Sequence, residues 1–201
     1  MRREVTETRL VVGALVALGV AAGLLVGLPY FLLRNVPPPA ALKPYTAQQL
    51  RGRAIYVANG CIYCHSQQPR DPAQAPDESR GWGRPSVAAD YAYDKPHLLG
   101  TSRTGPDLFN IGARQPSEDW QLGHLYQPRA YTQGSIMPAF PFLFRIHRGP
   151  PRPGETAINL PPQYAQAGMT VVATQQARDL AAYLLSLDHT YPILSASDAQ
   201  P

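Results

Sequence analysis

The sequence predicts a mainly α-helical protein, with one N-terminal transmembrane helix followed by a loop-rich domain. Three observations support this fold class. Residues 10–33 carry no charged side chain, helical periodicity recurs later in the chain without convincing strand-like alternation, and the 201 residues include 22 prolines. So many prolines indicate that long loops, rather than regular elements, make up much of the domain.

The uncharged run of 24 residues is long enough to cross ~30 Å of hydrocarbon as a helix. A cleaved signal peptide is the competing interpretation, because alanine and glycine are abundant in the run. The apolar part of a signal peptide is usually only ~7–15 residues long, so we expect an uncleaved anchor. Three basic residues precede the run and two follow it, which favours a cytoplasmic N-terminus: Arg2, Arg3 and Arg9, then Arg34 and Lys43.

Small residues form a stripe along the predicted anchor helix. Gly19, Gly23 and Gly27 recur every four residues. Such a stripe lets a second transmembrane helix approach closely, although glycine is common in membrane helices in general. We therefore expect a helix of a partner subunit at this face.

The chain divides by composition into four segments. Residues 1–34 form a cytoplasmic tip and the anchor, and residues 35–45 form a proline-rich linker. Residues 46–190 form the soluble domain, which is long enough for a buried core, and residues 191–201 form a C-terminal tail.

Helices are predicted in three places within the soluble domain. Each follows a residue that can cap it, namely Thr46, Ser117 or Thr174. The first has Gln49 to complete a capping box and stops at Asn59-Gly60, and the second stops at Pro128. The third has an apolar face, formed by Ala177, Leu180, Ala181, Leu184 and Leu185.

The most informative motif comes directly after the first of these helices. Cys61, Cys64 and His65 have the C-x-x-C-H spacing of a c-type haem attachment site. Two thiols at this spacing reach the two vinyl groups of one porphyrin, and the adjacent imidazole lies beneath the iron. A redox pair or a disulfide does not need the histidine, and a zinc site needs more ligands than the only two cysteines in the chain supply.

A methionine is the expected sixth ligand of the haem iron. Met137 lies between Ser135 and Pro138, in a stretch that can hold a thioether rigidly, whereas Met169 fits a core position better and Met1 precedes the membrane span. His124 is the alternative ligand to test. We expect the remaining histidines to be surface or structural residues: His97, His147 and His189.

The positive charge of the chain does not indicate nucleic-acid binding. Without the membrane region, 14 of the 18 basic and 12 of the 14 acidic residues remain, with no long basic run. The local cluster Arg145, His147, Arg148 and Arg152 is expected to favour an acidic electron donor, or alternatively to be a solvated loop or to pack on a partner subunit.

Several strings of residues resemble the mono-haem cytochrome c subunit of cbb-type cytochrome c oxidases, the C family of haem-copper oxidases. The resemblance includes the haem motif and covers nearly the whole chain. Its further strings are Gly52-Arg53-Ala54-Ile55-Tyr56, Trp82-Gly83-Arg84-Pro85-Ser86, Arg103-Thr104-Gly105-Pro106-Asp107-Leu108, His124-Leu125-Tyr126-Gln127-Pro128-Arg129 and Met137-Pro138-Ala139-Phe140-Pro141.

The resemblance implies a class I-like cytochrome c domain with one covalent haem c, ligated by His65 and Met137. It places Pro106 where a backbone carbonyl orients the proximal imidazole. Arg103 and Trp82 fall where contacts with the haem edge or a propionate are expected. The implied location is the bacterial inner membrane, crossed once, with the haem domain in the periplasm.

The implied partners are a catalytic multi-span haem-copper subunit, other membrane cytochrome c subunits, a soluble periplasmic donor and membrane lipid. Two alternatives remain open: the cytochrome c subunit of a nitric oxide reductase, and a free-standing membrane-anchored electron shuttle. The sequence shows no acid–base pair, nucleophile triad or open metal site. We expect the chain to transfer electrons within an oxidoreductase complex and to catalyse no reaction alone.

Overall fold

The computed structural model describes residues 6–193. Met1, Arg2 and Arg3, and the tail from residue 194 onward, lie outside the described residues. The helices and strands in chain order are α1 (Glu7–Ala22), α2 (Leu28–Leu33), α3 (Ala47–Ala58), α4 (Ile111–Arg114), α5 (Glu118–Tyr126), α6 (Pro128–Tyr131), β1 (Phe144–Arg148), β2 (Met169–Ala173) and α7 (Gln175–Ser186).

The first two helices form one apolar helix, Glu7–Leu33, whose 27 residues span about 40 Å. A π-helical turn, Gly23–Gly27, joins them. Pro29 has no N–H to donate to the carbonyl four residues earlier, and the wider turn before it accommodates that irregularity. None of the helix is buried against the rest of the protein. The helix therefore fits a membrane anchor, and the predicted fold class is confirmed.

The soluble domain is organised by the packing of α3 against α7. The capping box is present at the start of α3, where the Gln49 N–H donates to Thr46 Oγ1 at 3.2 Å. Gly52 lies against the Asp179 backbone carbonyl, so a Cβ at this position would collide with it. Arg51 reinforces this crossing by donating from Nε to Asp179 Oδ2 at 2.8 Å. The predicted caps of α3, α5 and α7 at Thr46, Ser117 and Thr174 all accept backbone N–H bonds.

The core of the domain lies between α3, α5, α7 and the loops that follow the haem motif. Tyr56 of α3 packs edge-on against Tyr183 of α7, with ring centroids 5.5 Å apart. Leu122 and Leu180 are almost completely buried beside them. Burying these large side chains stabilises the domain, since each contributes roughly 1.5–3 kcal/mol.

The structure also contains two short strands, although the sequence shows no convincing strand-like alternation. β1 and β2 pair antiparallel, with Phe144 opposite Ala173 and Arg148 opposite Met169. Neither strand alternates clearly in burial: Phe144 is buried, but Arg145 and Ile146 are both exposed. A two-stranded ribbon is held largely by its ladder and by packing at one end, so its sequence lacks a period of two.

Helix α5 ends at Tyr126, two residues before Pro128, as the sequence predicts. Pro128 is then the first residue of the short helix α6. The chain returns across α5 after this helix, where the Phe140 N–H donates to the Leu125 carbonyl at 2.9 Å. The intervening segment, residues 132–138, therefore lies beside α5 and forms one wall of the cavity described next.

Candidate haem-binding site

The cysteines and His65 lie in a tight turn directly after α3. Gly60 adopts a left-handed conformation, with φ 69°, that breaks the helix and lets the turn Cys61–Tyr63 begin. Cys61 and Cys64 are both free thiols. Cys61 is half-buried against the core, and burial raises the pKa of its thiol to about 11. Cys64 is exposed, so the two thiols face different surroundings.

The imidazole of His65 is oriented by a clamped backbone segment. Its Nδ1 lies 2.8 Å from the Pro106 carbonyl oxygen, to which it can donate. Two backbone bonds hold this segment on either side of Pro106: Gly105 N–H to the Cys64 carbonyl at 2.9 Å, and Leu108 N–H to the Ser66 carbonyl at 2.8 Å. A Cβ on Gly105 would collide with the imidazole, so glycine is required for this close approach.

This environment suits a metal ligand. Burial lowers the pKa of His65, although the bond to Pro106 opposes the shift, and the ring is neutral at pH 7. A neutral imidazole whose Nδ1–H is bonded to a carbonyl carries its lone pair on Nε2 and can offer it to a metal. The structure thus contains a contact between the Pro106 carbonyl and the His65 imidazole.

One cavity of about 480 Å³ brings the predicted ligands together. His65, Cys64 and Pro106 line it on one side, and Met137 lines it from the segment after α6. The Met137 N–H donates to Ser135 Oγ at 3.2 Å, which fixes the backbone beside the thioether. The volume falls within the range of cofactor sites, and two ligand-type side chains share the cavity. The residues present therefore fit a haem.

Met169 does not reach this cavity. It lies at the start of β2, opposite Arg148, and is absent from the cavity lining. Met1 lies outside the described residues. Of the two methionines that the structure describes, only Met137 is positioned toward the site.

His124, the alternative ligand, lines the same cavity but lacks the surroundings of a ligand. Its ring stacks on Trp120, with centroids 4.6 Å apart. Its Nδ1 is buried and has no hydrogen-bond partner among residues 6–193. Iron ligation through Nε2 would require a proton on that buried Nδ1 without an acceptor, which is costly. The environment of His65 is therefore better suited to ligation than that of His124.

The remaining histidines lie away from the cavity. His189 is buried, with Nδ1 2.7 Å from the Phe109 carbonyl and its ring stacked on Phe109. His147 Nε2 lies 2.8 Å from Glu155 Oε2, and His97 packs beside Tyr91. Their contacts are those of structural residues.

Three predicted site residues are absent from the cavity lining: Cys61, which packs against the hydrophobic core, Arg103 and Trp82. The Arg103 guanidinium donates to Asp77 Oδ1 at 2.6 Å, to the Gln68 carbonyl at 2.7 Å and to Ser66 Oγ at 3.0 Å. It lies 5.3 Å from the Trp82 ring. Arg103 thus has a protein carboxylate as its partner. Its bonds to Ser66 and Gln68 hold the residues that follow the C-x-x-C-H motif, and Trp82 packs against its guanidinium.

A buried aspartate next to Pro106 organises this support. Asp107 is fully buried and accepts from Ser66 Oγ at 2.5 Å and from the backbone N–H groups of Gln68 and Phe109, both at 2.8 Å. These bonds tie the residues after the haem motif to the segment carrying Pro106. Asp107 belongs to a string that resembles the oxidase subunits, but nothing local in the sequence distinguishes it from a surface aspartate.

One known protein family is similar to this chain over most of its length. A family described as cytochrome c oxidase, mono-heme subunit/FixO, matches residues 2–150. The match spans the apolar helix, the haem motif and Met137. No curated protein matches the chain.

Proposed function

Because the chain belongs to the family of mono-heme cytochrome c oxidase subunits, we propose that it carries one covalent haem c beside the catalytic subunit of a cbb-type oxidase. In this role it passes electrons from a periplasmic donor toward the oxygen-reducing centre. The observation that carries the proposal is the single cavity on which Cys64, His65 and Met137 converge. A haem held there supplies an iron that accepts and releases one electron.

The residues of the chain have separate roles at this site. The thiols of Cys61 and Cys64 would attach the porphyrin; Cys61 is half-buried against the core, and Cys64 is exposed at the cavity. His65 and Met137 would hold the iron of the haem through Nε2 and the thioether sulfur. Pro106 holds the imidazole ring through the 2.8 Å contact with Nδ1 and raises its basicity as a ligand.

The membrane helix supports a role beside a partner subunit rather than as a free shuttle. No residue of Glu7–Leu33 is buried, and a Cβ on Gly19 or Gly23 would meet no atom within 4 Å, which leaves this face open to another helix. We propose that it crosses the inner membrane once, with residues 35–45 as the linker and residues 46–190 as the periplasmic domain. The contacts of the soluble domain extend one residue beyond this range, to Tyr191, whose hydroxyl donates to Asp90 at 2.9 Å.

Electron entry is proposed near the strand β1. Arg145, Arg148 and Arg152 are exposed, whereas His147 pairs with Glu155. Exposed arginines of this kind accelerate the encounter with an acidic donor more than they tighten its binding. Packing of this segment against a partner subunit is the alternative. The family description favours an oxygen reductase over a nitric oxide reductase as the complex.

Covalent attachment and partner are tested in one experiment. The full chain is purified from its native membranes, extracted with acidified acetone and examined for residual haem, and the co-purifying chains are identified. We expect haem to resist extraction in the wild type and in Met169→Leu, the matched control. Cys61→Ala and Cys64→Ala each lose one thioether. A wild-type chain that releases all its haem, or one that purifies without a haem-copper subunit, would contradict the proposal.

A further inference from the structure

Arg114 is a cationic residue on the cavity that lacks an anionic partner. It ends α4 and lines the cavity with His65 and Met137. Its Nη2 donates to the backbone carbonyl of Asp107, while its Nε is buried without a partner. Within the described part of the chain, no carboxylate lies in ion-pair contact with it.

Three other half-buried arginines in the domain pair with a carboxylate. Arg53 pairs with Asp94 at 3.1 Å, Arg84 with Asp90 at 2.7 Å and Arg103 with Asp77 at 2.6 Å. Burial lowers the pKa of Arg114, and the influence of Asp107 only partly opposes this shift. A guanidinium stays charged at every accessible pH, so a buried one without a counter-charge is destabilising. Because Arg114 lines the cavity, an anion bound there can reach its guanidinium.

His124 supplies a second donor on the same cavity. Burial lowers its pKa to about 4, so the ring is neutral at pH 7 and carries one proton. An N–H left without an acceptor costs more than an unused lone pair, and Nδ1 has no acceptor among residues 6–193. The proton therefore lies on Nε2, the nitrogen left to face the cavity.

We propose that Arg114 and His124 bind the propionate carboxylates of the haem, an inference that rests on the proposed function. The propionates are the only anionic groups that a haem offers. Both residues come from one stretch of chain, α4 and α5, whereas Met137 comes from the segment beyond α6. In this assignment Arg114 takes the role expected from the sequence for Arg103, whose guanidinium is already neutralised by Asp77.

The test uses the full chain in detergent with its haem attached. Arg114→Gln removes the positive charge at the first position, and His124→Leu removes the donor at the second. Arg114→Lys retains the charge, His124→Gln retains a donor, and Arg129→Gln removes an exposed arginine as the control. Resonance Raman spectroscopy follows the propionate bending vibration, which reports hydrogen bonding to the carboxylates. The reduction potential and the spin state are measured on the same samples.

We expect the propionate band to shift in Arg114→Gln and in His124→Leu, less in the retaining variants, and not in Arg129→Gln. Losing the positive charge of Arg114 stabilises ferric haem, so the potential falls, with the ferric-to-ferrous ratio changing on the order of tenfold, or ~59 mV. All variants stay low-spin.

The inference is overturned if the band stays at its wild-type position in both variants, even when the potential changes. High-spin haem in His124→Leu also overturns it, because His124 would then be an iron ligand. If Arg114→Gln fails to fold, His124→Leu and Arg114→Lys decide the result. A wild type that contains no haem has no propionate band to follow, which identifies a failure of the proposed function itself.

Discussion

Replacing Asp107 should reveal how strongly the polar network behind the haem stabilises the domain. Asp107→Ala removes the acceptor of three donors: the Ser66 hydroxyl and the N–H groups of Gln68 and Phe109. Each buried donor left without an acceptor costs about 1–3 kcal/mol. Water can enter the space vacated by the carboxylate and satisfy some of these donors. We therefore expect the free energy of unfolding to fall by about 3–6 kcal/mol.

Asp107→Asn provides a graded comparison at constant volume. One oxygen remains to accept a hydrogen bond, but the new amide N–H₂ group faces a backbone donor. We therefore expect the free energy of unfolding to fall by about 1–3 kcal/mol. Glu78→Ala serves as the control, since Glu78 is exposed and should change stability by less than about 0.5 kcal/mol. A domain of ordinary stability, about 5–15 kcal/mol, tolerates the asparagine better than the alanine.

Guanidinium unfolding of the haem-loaded chain, followed by circular dichroism and by the haem spectrum, gives these differences from the midpoints at constant slope. The reduction potential provides a second measurement. A loosened Pro106 contact makes the His65 imidazole less basic, so the potential should rise. Equal stability of the alanine variant and the control, or equal losses in the two Asp107 variants, would refute this account of the network.

Two further perturbations test the ligand and the acid stability. Met137→His should keep the haem low-spin but lower its potential and abolish the far-red ferric charge-transfer band. Met169→Leu should retain the wild-type potential and the band. Loss of the band only in the Met169 variant would show that the wrong methionine was chosen. Burial opposes ionisation of Asp90, but Arg84 at 2.7 Å, the Val87 N–H and the Tyr191 hydroxyl outweigh it and hold its pKa below the ordinary value. Its carboxylate therefore stabilises the fold above about pH 4, and that contribution is lost as pH falls through the lowered pKa. As pH is lowered from 6 to 3, the midpoint temperature of thermal unfolding should fall more steeply in the wild type than in Asp90→Asn. Parallel curves would contradict the lowered pKa of Asp90.

The β-ribbon illustrates a feature that local pattern could not predict. Ile146 and Arg145 are both exposed, and the strand pairs with a segment more than twenty residues further along the chain. The pairing depends on a ladder formed after the chain has folded back, so it leaves no period of two in the sequence. The helix caps behave in the opposite way, because Thr46 and Gln49 lie within one turn of each other and form their bonds as soon as the helix does.

The apolar helix, the capped helices and the C-x-x-C-H motif were predictable from sequence, since each depends on residues within a few positions of one another. Which arginine lines the cavity is a property of the fold. Arg103 meets Asp77, 26 positions earlier, whereas Arg114 meets no carboxylate among residues 6–193. An arginine's partner is chosen by how distant segments pack, and the energy of a buried charge depends on that partner rather than on its neighbours in sequence.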